Sequence, residues 1–251
     1  MMGILQEDGL HFRMSRYSDM EDRLEVAYAM KLLTDAGLIN PDDGDAEHCF
    51  PYILSLSRNP DSLLMWQLYA NKADGIAFEI DRKFENIPVH NKKAFSSYLH
   101  EVNYSADPQV VIELAGKYKG YLKYNGDSYP ELLAAFFKHP QYSYEEETRL
   151  IFPSPALFKM KYDKETAEGI LRDNLERIEP GQFRYNGTRI VRYSEIIIPR
   201  EYLRGIIIGH NSPDNSVEVV KSYLEALGYP DNVDVRFSDF RETINHYSQN
   251  Y

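Results

Sequence analysis

The spacing of apolar residues changes several times along the chain, which predicts strands interleaved with helices. Near the N-terminus, Ser18 and Glu21 have the spacing of a capping box, and an apolar stripe at helical intervals follows them. We therefore expect a helix from about Asp19 to Ala36. Gly37 fits the position just past its C-terminal end, where glycine is favoured.

The rest of the chain carries further strand and helix patterns. Alternating or short apolar runs predict strands at residues 50–57, 75–81, 148–153, 188–193, 195–199, 203–209 and 233–238. Helical patterns cover about 59–74, 108–123, 130–138, 163–178 and 214–227, with Asn59 and Pro60 as the cap and first position of the earliest of these. Unequal spacing of strands and helices favours an α+β fold over a doubly wound sheet. Because there is no repeat and no Gly/Ser linker, we expect a single mixed domain over residues 1–251.

Composition and charge narrow the class of protein. The chain has 251 residues and a formal net charge of −11, which disfavours general nucleic-acid binding, because that depends on clustered Lys and Arg. Cys49 is the single cysteine, so neither an intrachain disulfide nor a cysteine metal cluster can form. The N-terminus lacks a signal-peptide pattern, and no run of about 18 apolar residues occurs. We expect a cytoplasmic protein without a membrane segment.

Two groups of residues between positions 55 and 70 are candidates for a functional role. Ser55 and Ser57 lie at the end of a predicted strand with both hydroxyls on one face, where they would orient a ligand or a carboxylate. The alternative is that Ser57 helps to cap the next helix. On that helix, Trp66 and Tyr69 share a face, which is typical of core packing, although the Tyr69 hydroxyl could reach a cleft.

A third cluster of charged residues leads into the strand at 148–153. Glu145 and Glu147 are expected on one face, with Arg149 on the same face in position to pair with either acid. Paired carboxylates suit acid–base chemistry or the stabilisation of a developing cation. A run of charges is also typical of a solvated face, and that alternative stays open.

The sequence motifs of several other enzyme classes are absent. The sequence has no phosphate-binding loop, dinucleotide-binding glycine pattern, zinc-protease motif or nucleophile elbow. The acids at 42–47 with His48 lack the spacing of a calcium loop, so we expect a surface loop there and no bound metal.

Three stretches of the chain together resemble a bacterial family catalogued as domain of unknown function 2971. They are LSLSRNPDSLLMWQLYANKADGIAFEID at 54–81, KHPQYSYEEETRLIF at 138–152, and LRGIIIGHNSP with the later VDVRFSDFRET. SDMEDRLE at 18–25 is similar to an early Asn-Asp-x-x-Glu element of the family, with Ser18 in place of Asn. Members of the family begin with a strand carrying a Tyr-Arg-Tyr-like step. Here that strand is expected to be missing or replaced, and Arg13 is the nearest arginine.

The same residues resemble, more distantly, ADP-ribosyltransferases of the arginine–serine–glutamate type. The order of an arginine, a Ser-x-Ser strand and EEETRLIFP is similar to their signature. The resemblance implies an ADP-ribosyltransferase-like split sheet with flanking helices. It also implies Glu147 as the catalytic acid, Glu145 as its partner, and Ser55 and Ser57 as positioning serines.

The substrate implied by this resemblance is NAD, held by Arg13, Trp66, Tyr69 and Arg149. A glutamate at the ribose would stabilise the oxocarbenium-like centre that forms when the nicotinamide–ribose bond breaks. The acceptor would be RNA, DNA or a protein, in the setting of a toxin or a phage-defence effector. The same setting would admit a protein antitoxin or inhibitor as partner.

Two alternatives to this enzyme stay open at the level of sequence. One is a catalytically inactive relative that binds a ligand or a protein, which the expected loss of the arginine strand favours. The other is a metal-dependent nuclease that uses the acids at 42–47 or 145–147.

Overall fold

The computed structural model describes residues 3–20, 22–39, 50–86, 98–117, 123–124, 127–128, 130–152, 178–185 and 189–243. It divides into two compact units. The first unit contains Met1–Phe12, Asn59–Ile87 and Ile197–Tyr251, and the second contains Arg13–Arg58 and Pro88–Ile196. Because neither unit is continuous in the chain, no linker marks the division in the sequence.

The strands, in chain order, are β1 (Leu5–Gln6), β2 (Gly9–Arg16), β3 (Tyr52–Ser57), β4 (Ile76–Ile80), β5 (Tyr98–Glu101), β6 (Lys123–Tyr124), β7 (Asp127–Ser128), β8 (Glu147–Phe152), β9 (Ile178–Tyr185), β10 (Ile190–Ile198), β11 (Leu203–Ile208) and β12 (Asp234–Phe237). The larger sheet has the order β5-β8-β3-β2-β10-β9, with β1 paired to β2. Two smaller sheets have the orders β12-β11-β4 and β6-β7.

The α-helices are α1 (Arg23–Asp35), α2 (Leu63–Tyr69), α3 (Pro108–Lys117), α4 (Pro130–Ala134) and α5 (Ser216–Ala226). Short 3-10 helices lie at Tyr17–Asp19, Arg82–Asn86, Pro140–Glu145 and Arg200–Tyr202. Together with the sheets, these helices confirm the predicted α+β class. None of the helices in the described ranges has the length and apolar character needed to cross a membrane.

The first predicted helix is present but starts later than expected. It begins at Arg23 instead of Asp19, because Asp22 is the N-cap and its carboxylate accepts the backbone N–H of Leu24 at 2.8 Å. It ends as predicted before Gly37, whose φ of +68° is a conformation that glycine adopts without steric cost. The sequence therefore predicts a capped helix here correctly, but the N-cap is Asp22 and not Ser18.

The second predicted helix also starts later. Ser62 occupies the N-cap position before Leu63, so the prediction that Asn59 and Pro60 open this helix is wrong. The Asn59 side chain instead accepts the backbone N–H of Asp61 at 3.2 Å, which closes a turn ahead of the helix. Asparagine serves both caps and turns, and its local sequence does not separate the two uses.

The structure tests the helices predicted in the middle of the chain only in part. α4 ends at Ala134, before the predicted end at 138, whereas α3 is described as far as Lys117 and the predicted continuation at 118–122 lies outside the described residues. The helix predicted at 163–178 falls outside the described residues, apart from Ile178, which begins β9.

An N-terminal strand, β2, is present, and its sequence does not contain the Tyr-Arg-Tyr-like step expected of the family. β2 pairs antiparallel with β3, with Ser15 opposite Ile53, and it contains both Arg13 and Arg16. Its sequence, GLHFRMSR, alternates between polar and apolar residues from Leu10 onward, which is the signal that identifies it.

The apolar core of the second unit lies between α1, α3, α4 and one face of the larger sheet. Leu33 from α1, Leu133 from α4, and Ile53 and Ile151 from the paired strands β3 and β8 are buried in it together. Burying a side chain of this size contributes about 1.5–3 kcal/mol. On the same sheet face, beyond Ile53 along β3, polar and charged residues replace the apolar ones.

The first unit is organised around β11, which pairs parallel with β12 and antiparallel with β4. Trp66 packs there with Ala73 and Ile207. A Cβ on Gly209 would lie 2.2 Å from the carbonyl oxygen of Ala73, so only glycine fits at this position. The side chain of Asp61 accepts hydrogen bonds from the Trp66 indole at 2.5 Å and from the Ser238 hydroxyl at 2.7 Å.

We expect Asp61→Ala to destabilise the first unit by about 1–3 kcal/mol, because it leaves the buried Trp66 indole without its acceptor. Trp66 is the only tryptophan in the sequence, so urea denaturation followed by its fluorescence reports on this unit. Asp74→Ala, at an exposed carboxylate of the same unit, is the matched control. Equal midpoints for the two variants would contradict a structural role for Asp61.

Candidate functional site

Five charged side chains are buried together in the second unit. This buried charge cluster consists of Glu25 from α1, Lys138 and Glu145 from the segment before β8, and Glu147 and Arg149 from β8. Removing a charge from water costs several kcal/mol unless partners replace the solvent. The pairing within the cluster therefore decides the local structure.

Arg149 is bound on every side and has no exposed surface. Its Nε and Nη2 donate to the Glu147 carboxylate at 2.8 and 3.0 Å, and Nη2 also donates to Glu25 at 2.5 Å. Its Nη1 donates to the carbonyl oxygen of Ala135 at 3.0 Å, and the ring of Tyr17 lies 5.6 Å from the guanidinium carbon. The predicted pairing of Arg149 with one of the two acids is confirmed for Glu147. Arg149 is also one of the residues predicted to hold NAD, and in the structure these protein partners enclose it.

Lys138 brings three carboxylates to one ammonium group. Its Nζ lies 2.6 Å from Glu145, 3.2 Å from Glu147 and 3.2 Å from Glu25. The ring of Tyr142 lies 4.8 Å from the same nitrogen. Three carboxylates and two cations give the cluster one excess formal negative charge.

A left-handed residue lets two neighbouring acids reach the same lysine. Glu146 has φ +44° and ψ +47°, a conformation that costs a non-glycine residue about 1–2 kcal/mol. Its carbonyl oxygen accepts the backbone N–H of Arg58 at 3.0 Å, which holds the turn. Glu145 ends a 3-10 helix and Glu147 begins β8, so the two acids converge through this turn and not through the strand alternation that we predicted.

Ser55 and Ser57 are exposed next to the buried carboxylates. In the β3–β8 ladder Ser57 lies opposite Glu147 and Ser55 opposite Arg149, so all four share one sheet face, as predicted for the two serines. Ser55 hydrogen-bonds to the carboxylate of Glu147, and the Ser57 hydroxyl donates to the carbonyl oxygen of Glu145 at 2.8 Å. The serines therefore form the solvent-facing side of this part of the cluster.

The ionisation of the cluster follows from its pairing. Burial acts to raise the pKa of Glu147, but the charge and hydrogen bonds of Arg149, with Lys138 and Ser55, outweigh it and hold that pKa below its ordinary value of 4.5. Burial acts to lower the pKa of Lys138, and the charges of Glu147 and Glu25 overcome it and raise that pKa above 10.5. Glu147 is thus an anion and Lys138 a cation around neutral pH.

Arg13 lies on the same sheet face as the two serines. It is two residues from Ser15, which is opposite Ile53, and Ile53 is two residues from Ser55. The Arg13 side chain is exposed, and its guanidinium carbon lies 5.2 Å from the centre of the Tyr193 ring. Arg13 is therefore on a strand that neighbours the serine strand.

Trp66 and Tyr69 belong to the first unit. Trp66 is 3% exposed and its indole N–H is bound by Asp61, which matches the core-packing alternative and leaves it unsuited to stacking on a ligand. Tyr69 is 65% exposed, so its ring is open to solvent.

Four residues of the site had no role assigned from sequence: Tyr17, Glu25, Tyr104 and Lys138. Glu25 ends the SDMEDRLE stretch and Lys138 begins the KHPQ stretch, so both lay within segments that carry the family resemblance. The Tyr104 hydroxyl accepts the backbone N–H of Glu147 at 2.8 Å, and no local pattern signals this contact. Tyr17 follows β2 directly and lies against Arg149.

The described residues contain no group of three or more His, Cys, Asp or Glu side chains arranged to hold a metal ion. The acids at 42–47, which the sequence offered for a metal, lie outside the described residues. The three carboxylates of the buried charge cluster surround the Lys138 ammonium instead.

Comparison with protein families confirms the first resemblance. Residues 65–150 match the model of the family described as Protein of unknown function (DUF2971). The match begins within α2 and runs through Lys138 into β8, and the LRGIIIGHNSP stretch lies beyond it. Searches of curated proteins and of solved structures gave no match.

We expect Glu147→Gln to change how stability depends on pH. A carboxylate with a lowered pKa contributes stability that is present above its ordinary pKa of 4.5 and is lost as pH falls through the lower folded value. The variant should lose about 3–5 kcal/mol near neutral pH, because Arg149 loses a buried partner. Its free energy of unfolding should then fall less steeply below about pH 4.5 than that of the wild type.

Urea denaturation followed by circular dichroism, at a series of pH values from neutral to acid, measures this difference. Glu101→Gln is the matched control, since its ion pair with Arg58 is exposed and contributes about 0–1 kcal/mol. Wild type and Glu147→Gln curves that stay parallel on acidification would show that Glu147 is not ionised by its partners in the fold.

We expect the protein to be more stable with glycine than with valine at position 146. Glu146→Gly removes the Cβ that the left-handed backbone disfavours and should be neutral or stabilising by up to about 1 kcal/mol. Glu146→Val should destabilise by about 1–2 kcal/mol or more, because a β-branched residue resists this conformation. The same two substitutions at Glu101, in β5, should show the reverse order, since strands favour valine. Thermal unfolding of the four variants checks this, and a valine as stable as glycine at 146 would contradict the left-handed turn.

Proposed function

We propose that the protein is an ADP-ribosyltransferase-like enzyme that consumes NAD in the cytoplasm and modifies a macromolecular acceptor. One observation supports this most. Three adjacent strands, β2, β3 and β8, carry Arg13, Ser55 with Ser57, and Glu147 on one sheet face. This is the arginine–serine–glutamate order that the sequence resemblance implies.

The chemistry requires a carboxylate that is charged before the reaction begins. When the nicotinamide–ribose bond breaks, nicotinamide leaves with the bonding electron pair and the ribose carbon becomes oxocarbenium-like. A nucleophilic group of the acceptor then forms the new bond to that carbon and loses its proton. Glu147, with its lowered pKa, and the excess negative charge of the buried charge cluster suit stabilisation of this cation.

Access to Glu147 runs through Ser55. An ionised carboxylate has about four acceptor positions. Arg149 Nε, Arg149 Nη2, Lys138 Nζ and Ser55 supply four partners to Glu147. Of these partners Ser55 is the exposed one, so a ribose hydroxyl would replace the Ser55 hydrogen bond while the two cations stay in place.

The exposed Arg13 guanidinium suits the negatively charged pyrophosphate of NAD. The acceptor would be RNA, DNA or a protein, and a role as toxin or phage-defence effector, with a protein antitoxin or inhibitor as partner, belongs to the same proposal. The implied split sheet of ADP-ribosyltransferases is likewise part of it.

A second candidate is a catalytically inactive relative that binds a ligand or a protein partner. The enclosure of Glu147 favours it, because this side chain is 3% exposed and its acceptor positions are already filled from within the protein. The two candidates differ in a single respect, which is whether a ribose can exchange with Ser55. A metal-dependent nuclease gains no support from the described residues.

The test is transfer of label from NAD carrying a tagged adenylate, with cell extract as acceptor. We expect the wild type to label a macromolecule, and Glu147→Gln to reduce the rate about 100-fold or more, the scale of losing one electrostatic stabiliser. Ser55→Ala should act less strongly, because the ribose hydroxyl takes its place. Glu146→Gln is the matched control, since it makes the same change one residue away and should keep the wild-type rate.

Digestion of the labelled product with nuclease or protease identifies the acceptor class. Circular dichroism of each variant separates loss of function from loss of fold. Label transfer that survives Glu147→Gln would overturn the transferase proposal. Absence of both label and NAD binding in the wild type would favour the inactive relative, and activity that chelator abolishes would favour the nuclease.

A further inference from the structure

The contacts of Lys138 indicate a role beyond ordinary packing. Its ammonium group has three hydrogens, and three carboxylates lie within 3.2 Å of it. Those carboxylates come from three parts of the fold, which are α1, the 3-10 helix before β8, and β8 itself. Glu145 and Glu147 both use the oxygen Oε2 to reach this one nitrogen.

We infer that Lys138 is the positioning residue of the site, binding Glu145 and Glu147 at one ammonium group and holding the Glu147 carboxylate charged and in one arrangement beside Ser55 and Ser57. Two carboxylates that share a buried site normally retain a proton between them, because two like charges at short range repel. A cation bound to both removes that need. As far as catalysis is concerned, this inference rests on the proposed function; the ionisation of the carboxylates does not.

Other charged or titratable groups face this site and enter the argument. They are Asp22 and Glu25 at α1, Tyr104 after β5, Tyr142 and Tyr144 in the 3-10 helix, and Arg149 on β8. Arg149 is the other cation, and it contacts Glu147 and Glu25. Glu145 forms an ion pair with Lys138, and the same lysine forms an ion pair with Glu147, so it links the two acids.

The consequence is a prediction for Lys138→Met, which keeps much of the volume and removes the charge. The cluster would then hold three carboxylates against Arg149, and we expect it to take up a proton. The apparent pKa of the Glu147 carboxyl, or of the Glu145–Glu147 pair, should rise by about one unit or more. Lys138→Arg, which restores a cation, should titrate like the wild type.

Carbon-13 NMR of labelled glutamate carboxyls measures this titration directly, with Glu147→Gln used to assign the signal. Lys138→Met/Glu145→Gln is the charge-balanced control, because it removes one cation and one carboxylate and keeps the excess at one formal negative charge. Glu147 should titrate in this double variant close to its wild-type value. Where the single variant is too unstable to study, the double variant should recover the fold, because the imbalance of charge has been removed.

Three results would overturn the inference. One is a folded Lys138→Met variant in which Glu147 titrates as in the wild type. Another is a Lys138→Arg variant that shifts the titration as much as methionine does. The third is a double variant that fails to fold or whose Glu147 is still shifted, since this would assign Lys138 to packing and not to charge.

The titration needs no enzymatic turnover, so it separates the two proposals. A wild type that transfers no label but titrates as expected would contradict the transferase proposal and leave the inferred role of Lys138 intact. If label transfer occurs, the acid limb of its pH profile should move to higher pH in Lys138→Met, because activity requires ionised Glu147. A profile that keeps its position while the rate falls would show that the lysine acts by packing.

Discussion

The pairing of Arg149 and Lys138 with three glutamates is the interaction on which the second unit depends most. An arginine without exposed surface is costly unless its charge is matched, and the matching groups come from α1 and β8. Any arrangement that moved α1 off this sheet face would take Glu25 away from both Arg149 and Lys138 and leave these buried cations with fewer partners. The apolar core also holds these elements together, but hydrophobic contacts have no directional preference. The ion pairs specify which residues meet.

The same pairing sets what the site can do. A carboxylate bound by two cations is charged and fixed in direction, which suits the stabilisation of a cation, yet those partners also fill most of its acceptor positions. Exposure is therefore concentrated at Ser55 and Ser57, where the strand ends and solvent begins.

Local patterns predicted much of the fold. The strand at 52–57, the helix ending before Gly37 and the strand at 203–208 follow from alternation, helical spacing and a glycine stop. The predictions erred where one residue type serves two purposes, as with Asn59, which closes a turn instead of capping α2. The second unit brings together segments from both sides of residues 59–87, and a pairing across such a distance leaves no trace in local spacing.

The candidate site shows the same limit in its chemistry. Alternation placed Ser55 and Ser57 correctly because both lie in a regular strand. The convergence of Glu145 and Glu147 depends on a left-handed glutamate, which sequence does not reveal, since glutamate has no preference for positive φ. The role of Lys138 is still harder to predict, because in the sequence it is one cation near several acids. In the structure it is buried and forms ion pairs with all three carboxylates. Water would screen such contacts at the surface, so the enclosure of the cluster is what gives them their strength.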